Sequence, residues 1–558
     1  MSKLQIRLAD GRGRPIRLKD DPITIGRHPD NRLRLKDDMA SRHHCVIEPD
    51  GRGGHRLRDL GSRNGTKLNG MRVTESRLGD GDCIRIGAIE FIVEARESAV
   101  HAAAAAQSDA HQGNGESETA TKVARARKKA QEENAEWVKE IRGVIEAMPA
   151  PEAGDESLQL VDARGQNTSA LAGAADGPLA MNLLLRAASR TRATDIHVEP
   201  KADVFNVRMR VDGQMVWIVE LPTKVGELMS GLIKTACHMQ AASRDAIQEG
   251  HFSCRFPDRR CEYRVSFTPS VHGQKLVVRV LDQRGVPMAL SDLGMVGYME
   301  ERIRAVTNMD AGMILVCGPT GSGKTTTLYN ALREIDRDTR NVITIEDPVE
   351  YQLEGVTQIP IDEKRGNTFN TLLRSVLRQD PDVLLLGEVR DEETARTAMQ
   401  AAMTGHLVFS TVHSKDSISA VFRLLDLKVE PYLVANSLNL VLAQRLVRVL
   451  CEHCKREVPV APGLSTKMGR FLGNKKTLYQ SVGCRRCINT GYRGRQALFE
   501  LLDVNDDLRD LILANPSIQA MKKVIAEGLF TTLTQYGFRM AAEGITSMDE
   551  VERVTGMG

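Results

Sequence analysis

Residues 318–325, Gly318-Pro319-Thr320-Gly321-Ser322-Gly323-Lys324-Thr325, have the composition and spacing of a loop that wraps phosphate. Its glycines let successive backbone N–H groups turn inward, Lys324 can reach the β- and γ-phosphates, and the Thr325 hydroxyl can ligate Mg²⁺ at the start of a helix. The apolar run Met313-Ile314-Leu315-Val316-Cys317 before the loop reads as a strand, and Thr325 to Ile335 reads as a helix. That is the order of elements such a loop requires. The chemistry implied is binding of a nucleoside triphosphate, with ATP and Mg²⁺ as the expected ligands.

Holding a triphosphate does not hydrolyse it. Hydrolysis needs an acid linked to the Mg²⁺, a group that orients the attacking water, and positive charge for the transition state. Three downstream strands end in suitable side chains. Val342-Ile343-Thr344-Ile345 leads into Glu346-Asp347-Pro348-Val349-Glu350, where Glu346 or Glu350 could orient water. Val383-Leu384-Leu385-Leu386 runs into Gly387-Glu388, the Walker B arrangement of an apolar strand followed by an acid that faces Mg²⁺ through water. Leu407-Val408-Phe409-Ser410-Thr411 is bracketed by His406 and His413, so Thr411 or His413 could sense the γ-phosphate.

A second chemistry resides in Cys451-Glu452-His453-Cys454 and Cys484-Arg485-Arg486-Cys487. Two C-x-x-C knuckles separated by an insert have zinc-ribbon spacing, and four thiolates satisfy a tetrahedral Zn²⁺ with no open position. The site predicted is structural, with His453 a bystander; a pair of redox-active C-x-x-C motifs is the alternative. The six other cysteines are scattered and read as buried or free thiols.

These groups must be positioned by several domains, because 558 residues exceed a single core. Residues 1–96 carry short β-rich runs, such as Ile23-Thr24-Ile25 and Cys83-Ile84-Arg85-Ile86, separated by turn residues, and suggest a small β-sandwich. Residues 97–176 turn to Ala, Ser, Gln, Glu and Gly and read as a linker, within which Thr121 to Met148 could form one amphipathic helix. Residues 177–290 alternate helical and strand patterns, and 291–558 form the α/β core with a tetracysteine insert at about 448–495. The fold class is multidomain: a β-sandwich, an α+β domain and an α/β phosphate-loop core.

Lys and Arg number 76 against 73 Asp and Glu, a formal net charge of +3, so no global basic field points to direct nucleic-acid contact. No apolar stretch approaches the ~18 residues that span a bilayer, and the first residues lack the apolar core of a signal peptide, so a cytoplasmic location is expected.

The segments 318–329, 346–351, Leu377 to Asp382, Gly387 to Asp391 and Ala402 to His413 resemble the Walker A, Asp box, Walker B and His box of the type II secretion and type IV pilus assembly ATPases. The resemblance extends upstream through Thr194 to Pro200, Arg208 to Gly213 and Tyr263 to Ser266, covering residues 177–558. It implies a RecA-like core, a homohexamer with ATP between neighbours, and N-terminal-domain arginines reaching the phosphates, here matched by Arg208, Arg210 and Arg264. Within the Asp box it places Glu350 ahead of Glu346 as the base. His413-Ser414 stands where the family commonly has His-Thr, which keeps the hydroxyl. A cysteine knuckle is common in the assembly and secretion ATPases and generally lacking in the retraction ATPases, so an export or extension motor is implied, working with an inner-membrane platform protein.

Gly26-Arg27, Ser41-Arg42-His43-His44 and Gly61 to Gly70 resemble a forkhead-associated (FHA) domain, a β-sandwich whose loops bind phosphothreonine. The resemblance implies that Arg27 supplies a cation and Ser41 and Asn64 neutral donors to the phosphate of a partner protein, while His44 and Gly26 shape the loops. The combined reading is a motor for pseudopilus or pilus assembly regulated through phosphothreonine. A DNA-uptake or DNA-transfer motor and an ATP-dependent regulatory binding protein are the alternatives.

Overall fold

The structure, a computed structural model, describes residues 4–95 apart from 9–15, 19, 20, 29, 36–39, 51–53, 63, 70, 80, 81 and 88; residues 136–149; and residues 157–556 apart from 169, 173, 174 and 515. The chain divides into two compact units, residues 1–116 and 117–558.

The first unit is a sandwich of a six-stranded and a five-stranded sheet. Alternation explains it: Ile23 and Ile25, Cys45 and Ile47, Ile84 and Ile86, and Phe91 and Val93 sit two apart on their strands and meet in one core. The short strands end in the loops that carry Arg27, Ser41 and Asn64.

The second unit contains two large sheets. The first is an eight-stranded sheet of antiparallel pairs in the order Asn167–Thr168, Gln159–Val161, Gln248–Arg255, Arg260–Ser270, Gly273–Leu281, Ala193–Pro200, Val204–Val211, Gln214–Pro222. One face is apolar, with Val207, Met209, Val265 and Val278 buried beneath the helices Asp176–Thr191 and Thr223–Ala236. Residues on the alternate positions of the same strands form the other face, which is rich in charge.

The reading of 97–176 as a linker and 177 as a domain start is corrected here. The helix Glu136–Ala147 buries Trp137, Val138, Ile141 and Ile145 in this domain's core, and the strands Gln159–Val161 and Asn167–Thr168 extend its sheet. The helix itself falls within the expected Thr121 to Met148 segment; that its stripe of four buried residues packs into the neighbouring domain's core is what the Ala- and Glu-rich composition does not show. The 121–135 half of the expected helix lies outside the described residues.

The other sheet has seven strands in the order Thr357–Pro360, Val342–Glu346, Val383–Leu386, Leu407–Val412, Gly312–Cys317, Leu438–Leu450, Tyr492–Asp503, parallel except for the last. Its central strands are buried at every position, as a parallel sheet covered by helices on both faces demands. Leu407–Val412 lies between the phosphate-loop strand and Val383–Leu386, so the carboxyl ends of these strands open at one edge.

Between the strands Leu438–Leu450 and Tyr492–Asp503 sits the cysteine insert, with its own hairpin of Arg456–Pro459 and Thr477–Gln480. Its Met468, Leu472 and Leu478 share a small core with Phe538, Met548 and Val551 of the C-terminal helices. Beside this core the fully buried Glu550 carboxylate holds Arg448 at 2.6 Å and Arg553 at 2.7 Å. Burial alone would raise its pKa, but Arg553 and Arg448 hold it down at about 2. The two sheets are joined where the Asp212 carboxylate accepts the Gly494 N–H at 2.7 Å.

Candidate active site

The phosphate loop leaves its strand at Cys317 and enters the helix Lys324–Arg333. Gly321 and Gly323 adopt φ of +75° and +87°, a left-handed backbone that other residues take only at a cost. Close approach adds a second reason for glycine: a Cβ on Gly318 would stand 2.4 Å from the Gln444 carbonyl, and one on Gly323 2.9 Å from Gln444 Nε2. Gln444, which sequence reasoning missed, backs the loop and accepts the Thr327 hydroxyl at 2.8 Å. Lys324 Nζ donates to its own loop, to Gly318 O at 3.0 Å and Pro319 O at 3.1 Å. Burial lowers its pKa, opposed by the Glu388 charge. Ser322 Oγ is buried without a hydrogen-bond partner among the described residues. A half-buried ammonium borrowing carbonyls and an orphaned hydroxyl fit a loop built for polyphosphate oxygens.

The loop opens into a cleft of 1630 Å³ lined by Thr320, Lys324 and Thr325, by Glu388 and His413, and by Glu350. Its size exceeds the ~300–1,000 Å³ of ordinary small-molecule sites. Glu388 follows its apolar strand as expected; His413 Nε2 lies 3.4 Å from one carboxylate oxygen, and Arg390 is ion-paired with the other. Arg390 also faces Asp347 at 3.8 Å, so one guanidinium bridges the Walker B and Asp-box segments. Thr411 uses its hydroxyl to tether Gly387 O at 2.7 Å, leaving His413 as the exposed group of that strand end. His406 lies at the opposite end of the strand, against Ala401 O.

The two Asp-box glutamates differ. Glu346 is 3% exposed, and its carboxylate accepts the Thr344 hydroxyl at 2.6 Å, Gln358 Nε2 at 3.1 Å and the Tyr329 hydroxyl. A carboxylate with that many donors is held, not poised over a water. Glu350 is exposed on the cleft wall.

Of the three family-matched arginines the structure brings one to the cleft. Arg264 crosses from the eight-stranded sheet and donates to Val349 O at 3.3 Å. Arg208 and Arg210 do not line the cleft: Arg208 is paired with both Glu199 oxygens at 2.8 and 2.9 Å, and Arg210 lies 3.6 Å from Asp195 and donates to Gly213 O at 3.0 Å. Two arginines missed in the sequence are neighbours of Arg264. Arg260 lines the cleft, and Arg279 is the register partner of both Arg264 and Asp195. The i, i+4 spacing of Arg260 and Arg264 puts them on one strand face, but neighbourhood with Arg279 depends on a pairing register that sequence does not reveal.

The cysteines converge. The Sγ atoms of Cys451, Cys454, Cys484 and Cys487 all lie within 4.8 Å of one another, with 3.9 Å for Cys451–Cys484, 3.8 Å for Cys454–Cys487 and 3.7 Å for Cys484–Cys487. Four sulfurs ~2.3 Å from a tetrahedral Zn²⁺ stand ~3.8 Å apart, so the donor set fits that ion. The N–H groups of Gly483 and Gly491 donate to the Cys454 and Cys487 sulfurs at 3.3 Å, contacts that would stabilise thiolate charge.

In the first unit, the Arg27 N–H donates to Ser41 O at 3.1 Å, and a Cβ on Gly26 would lie 2.4 Å from Arg42 O, which keeps those two loops in contact. His44, fully buried, accepts the Ser41 N–H at Nδ1 at 3.0 Å, and its carbonyl takes the Leu60 N–H. Asp59 organises the loop that carries Asn64, accepting the Ser62 hydroxyl at 2.6 Å and the Thr66 hydroxyl at 2.5 Å. Arg27 and Asn64 are exposed on these loops and Ser41 is half-buried. Asn31, whose Nδ2 clamps Arg42 O at 2.7 Å, and Asp59 are the positioning groups the sequence did not disclose.

A parallel sheet with a phosphate loop, an Asp box and a Walker B acid at one edge, faced by an arginine-bearing antiparallel sheet, defines a P-loop secretion-type ATPase fold. The chain belongs to the type II/IV secretion system protein family, whose pattern matches residues 175–553, and residues 23–87 match the FHA domain. The type II secretion system ATPase E of Vibrio cholerae is 39% identical over 408 residues, 72% of this chain and 80% of that one. The type IV pilus assembly ATPase PilB of Myxococcus xanthus is 37% identical over 412 residues, 72% of each. The fold is shared with the ATPase DotB of Legionella pneumophila, at 21% identity, a TM-score of 0.52 and coverage of 67% of this chain and 95% of DotB. Among the described residues no helix is long and apolar enough to cross a membrane.

Proposed function

We propose that this chain hydrolyses ATP as a homohexameric, Mg²⁺-dependent motor that drives pseudopilus or pilus assembly from the cytoplasmic side of an inner membrane, against a platform protein. The observation that carries the reading is the Arg264 contact with Val349 O at 3.3 Å. It puts a cation of one sheet onto the Asp box of the other, across the cleft that Lys324 and Thr325 line. Movement of one sheet relative to the other therefore changes the charge facing the phosphates, which is how hydrolysis and motion become linked.

In this reading the 318–325 loop binds the phosphates through its backbone N–H groups, and Lys324 exchanges its loop carbonyls for phosphate oxygens. Thr325 and Glu388 would hold Mg²⁺, which supplies charge neutralisation at the phosphates. Glu350 orients the attacking water, Arg264 faces the developing charge, and His413 reports the state of Glu388. Cys451, Cys454, Cys484 and Cys487 hold a structural Zn²⁺. Arg27, Ser41 and Asn64 bind a phosphothreonine of a partner protein and so place the motor under kinase control.

Lys324→Ala is expected to reduce ATP turnover by about 10²-fold or more with an unchanged melting temperature; turnover at the parental level would sink the assignment. The same variant in the native host, scored separately for exported protein and surface pili, assigns the machine by which of the two is lost. Titrating the full chain with matched phosphothreonine and threonine peptides tests the N-terminal reading, and equal affinity for the two refutes it.

A further inference from the structure

We propose that Glu346 is a positioning residue, closing a clasp with Tyr329 and Gln358 that ties the setting of Glu350 to the phosphate-loop helix. The proposal rests on the reading of Glu350 as the water-orienting group.

The clasp has three elements. Tyr329 lies on the helix Lys324–Arg333, one and a half turns beyond the phosphate-binding lysine, and its side chain is wholly buried. Its hydroxyl donates to Glu346 and accepts Gln358 Nε2 at 3.2 Å. One oxygen thus touches the end of the Val342–Glu346 strand and the side chain that holds the loop after it. Gln358, on the neighbouring strand Thr357–Pro360, completes it: its Nε2 donates to Glu346 at 3.1 Å and to Tyr351 O at 3.2 Å, and its Oε1 accepts the Leu353 N–H at 2.7 Å. The Tyr351 ring stands edge-on to Tyr329 with centroids 4.7 Å apart. The loop 347–353 is therefore gripped at Tyr351, next to Glu350, and at Leu353 by a network whose remaining anchor is the phosphate-loop helix.

The shared hydrogen bonds join Tyr329, Glu346 and Gln358 into one network. A shift of the helix when phosphates fill the loop carries Tyr329 with it, and Glu346, Gln358 and the loop they hold must follow or lose those bonds. Glu346 itself reaches no reacting atom; by accepting the Tyr329 O–H it fixes the direction of that hydroxyl and leaves the oxygen's lone pairs for Gln358.

The test is a double-mutant cycle in the full-length protein with Tyr329→Phe and Glu346→Gln, reading kcat, KM, the affinity for a non-hydrolysable ATP analogue, and melting temperature. Each single variant is expected to lower kcat about tenfold, with analogue affinity within about twofold of the parent, and the double variant to be no slower than the slower single. Full turnover in Tyr329→Phe with none in Glu346→Gln would make Glu346 itself the base and overturn the proposal. So would multiplicative losses, or parental kcat in both. Should Glu346→Gln fail to fold, Tyr329→Phe with Gln358→Leu closes the same cycle with the same criteria. Glu350→Gln is measured alongside: its retaining turnover would refute the base assignment, whereas the non-additivity of the cycle reports the clasp on its own.

Discussion

The two sheets of the second unit solve opposite problems. The seven-stranded sheet is buried on both faces and offers only its strand ends, so Lys324, Glu388 and Glu350 lie at one edge and depend on neighbouring strands for position. The eight-stranded sheet buries one face and presents the other, on which His251, Arg264, Arg279, Asp195 and Arg210 stand in one transverse row by strand register. Its cations are paired with counter-charges of the strand Ala193–Pro200 between theirs: Asp195 lies 3.3 Å from Arg279 and 3.6 Å from Arg210, while Glu199 takes Arg208 and Lys275. A site at strand ends is rigid because the core is rigid. A charged face is adjustable because its ion pairs exchange at little net cost.

The contrast should appear first in stability. Phe409, wholly buried at the centre of the parallel sheet, is expected to cost about 3–5 kcal/mol when changed to Ala, whereas Val277→Ala on the open face of the antiparallel sheet should cost under about 1 kcal/mol. Urea denaturation of the two variants measures the difference; equal losses would show that the open face is itself a packed interface.

A second difference is in response to acid. Glu550, behind the parallel sheet, has a carboxyl held at about 2 by Arg553 and Arg448 despite its burial. Its folded pKa lies below the unfolded one, so its contribution is complete above about pH 4.5 and is lost as pH falls through about 2. The shift corresponds to about 3 kcal/mol. Glu550→Gln should therefore destabilise the protein by roughly this amount at pH 7, and the gap to the parent should shrink between about pH 4.5 and pH 2 in denaturation midpoints. A gap independent of pH would mean that packing, not the ion pairs, holds the C-terminal helix.

What was legible in the sequence follows the same division. The phosphate loop, the Walker B strand and the paired cysteines are contiguous strings whose chemistry is local, and each proved to lie where its spacing implied. The arginines are not local. Arg208 and Arg210 occur in a recognisable string, yet their strand sits beyond Asp195 and Glu199, which hold them. Arg390 lies within the Gly387 to Asp391 string, but its pairing with both Glu388 and Asp347 depends on two strand ends meeting in space. Glu346 and Glu350 are indistinguishable by type, and it is the side chains of Thr344, Gln358 and Tyr329, the last seventeen residues upstream of Glu346, that separate them.

The smallest effect discriminates most sharply between the arginines. Arg264 borders the cleft and touches the Asp-box main chain, so Arg264→Gln should lower kcat by about 10–100-fold with little change in melting temperature. Arg208 is committed to Glu199 on a strand away from the cleft, and Arg208→Gln is expected to change kcat by less than about twofold, with any cost appearing as a slight loss of stability. Steady-state kinetics on the two variants decide it. If Arg208→Gln is as slow as Arg264→Gln, its guanidinium must leave Glu199 during the cycle and reach phosphate, and Glu199→Gln, which releases it, should then raise turnover. If only Arg264→Gln is slow, the charged face acts on the nucleotide through the strand nearest the cleft, and the carboxylates behind it serve to hold the remaining cations in place.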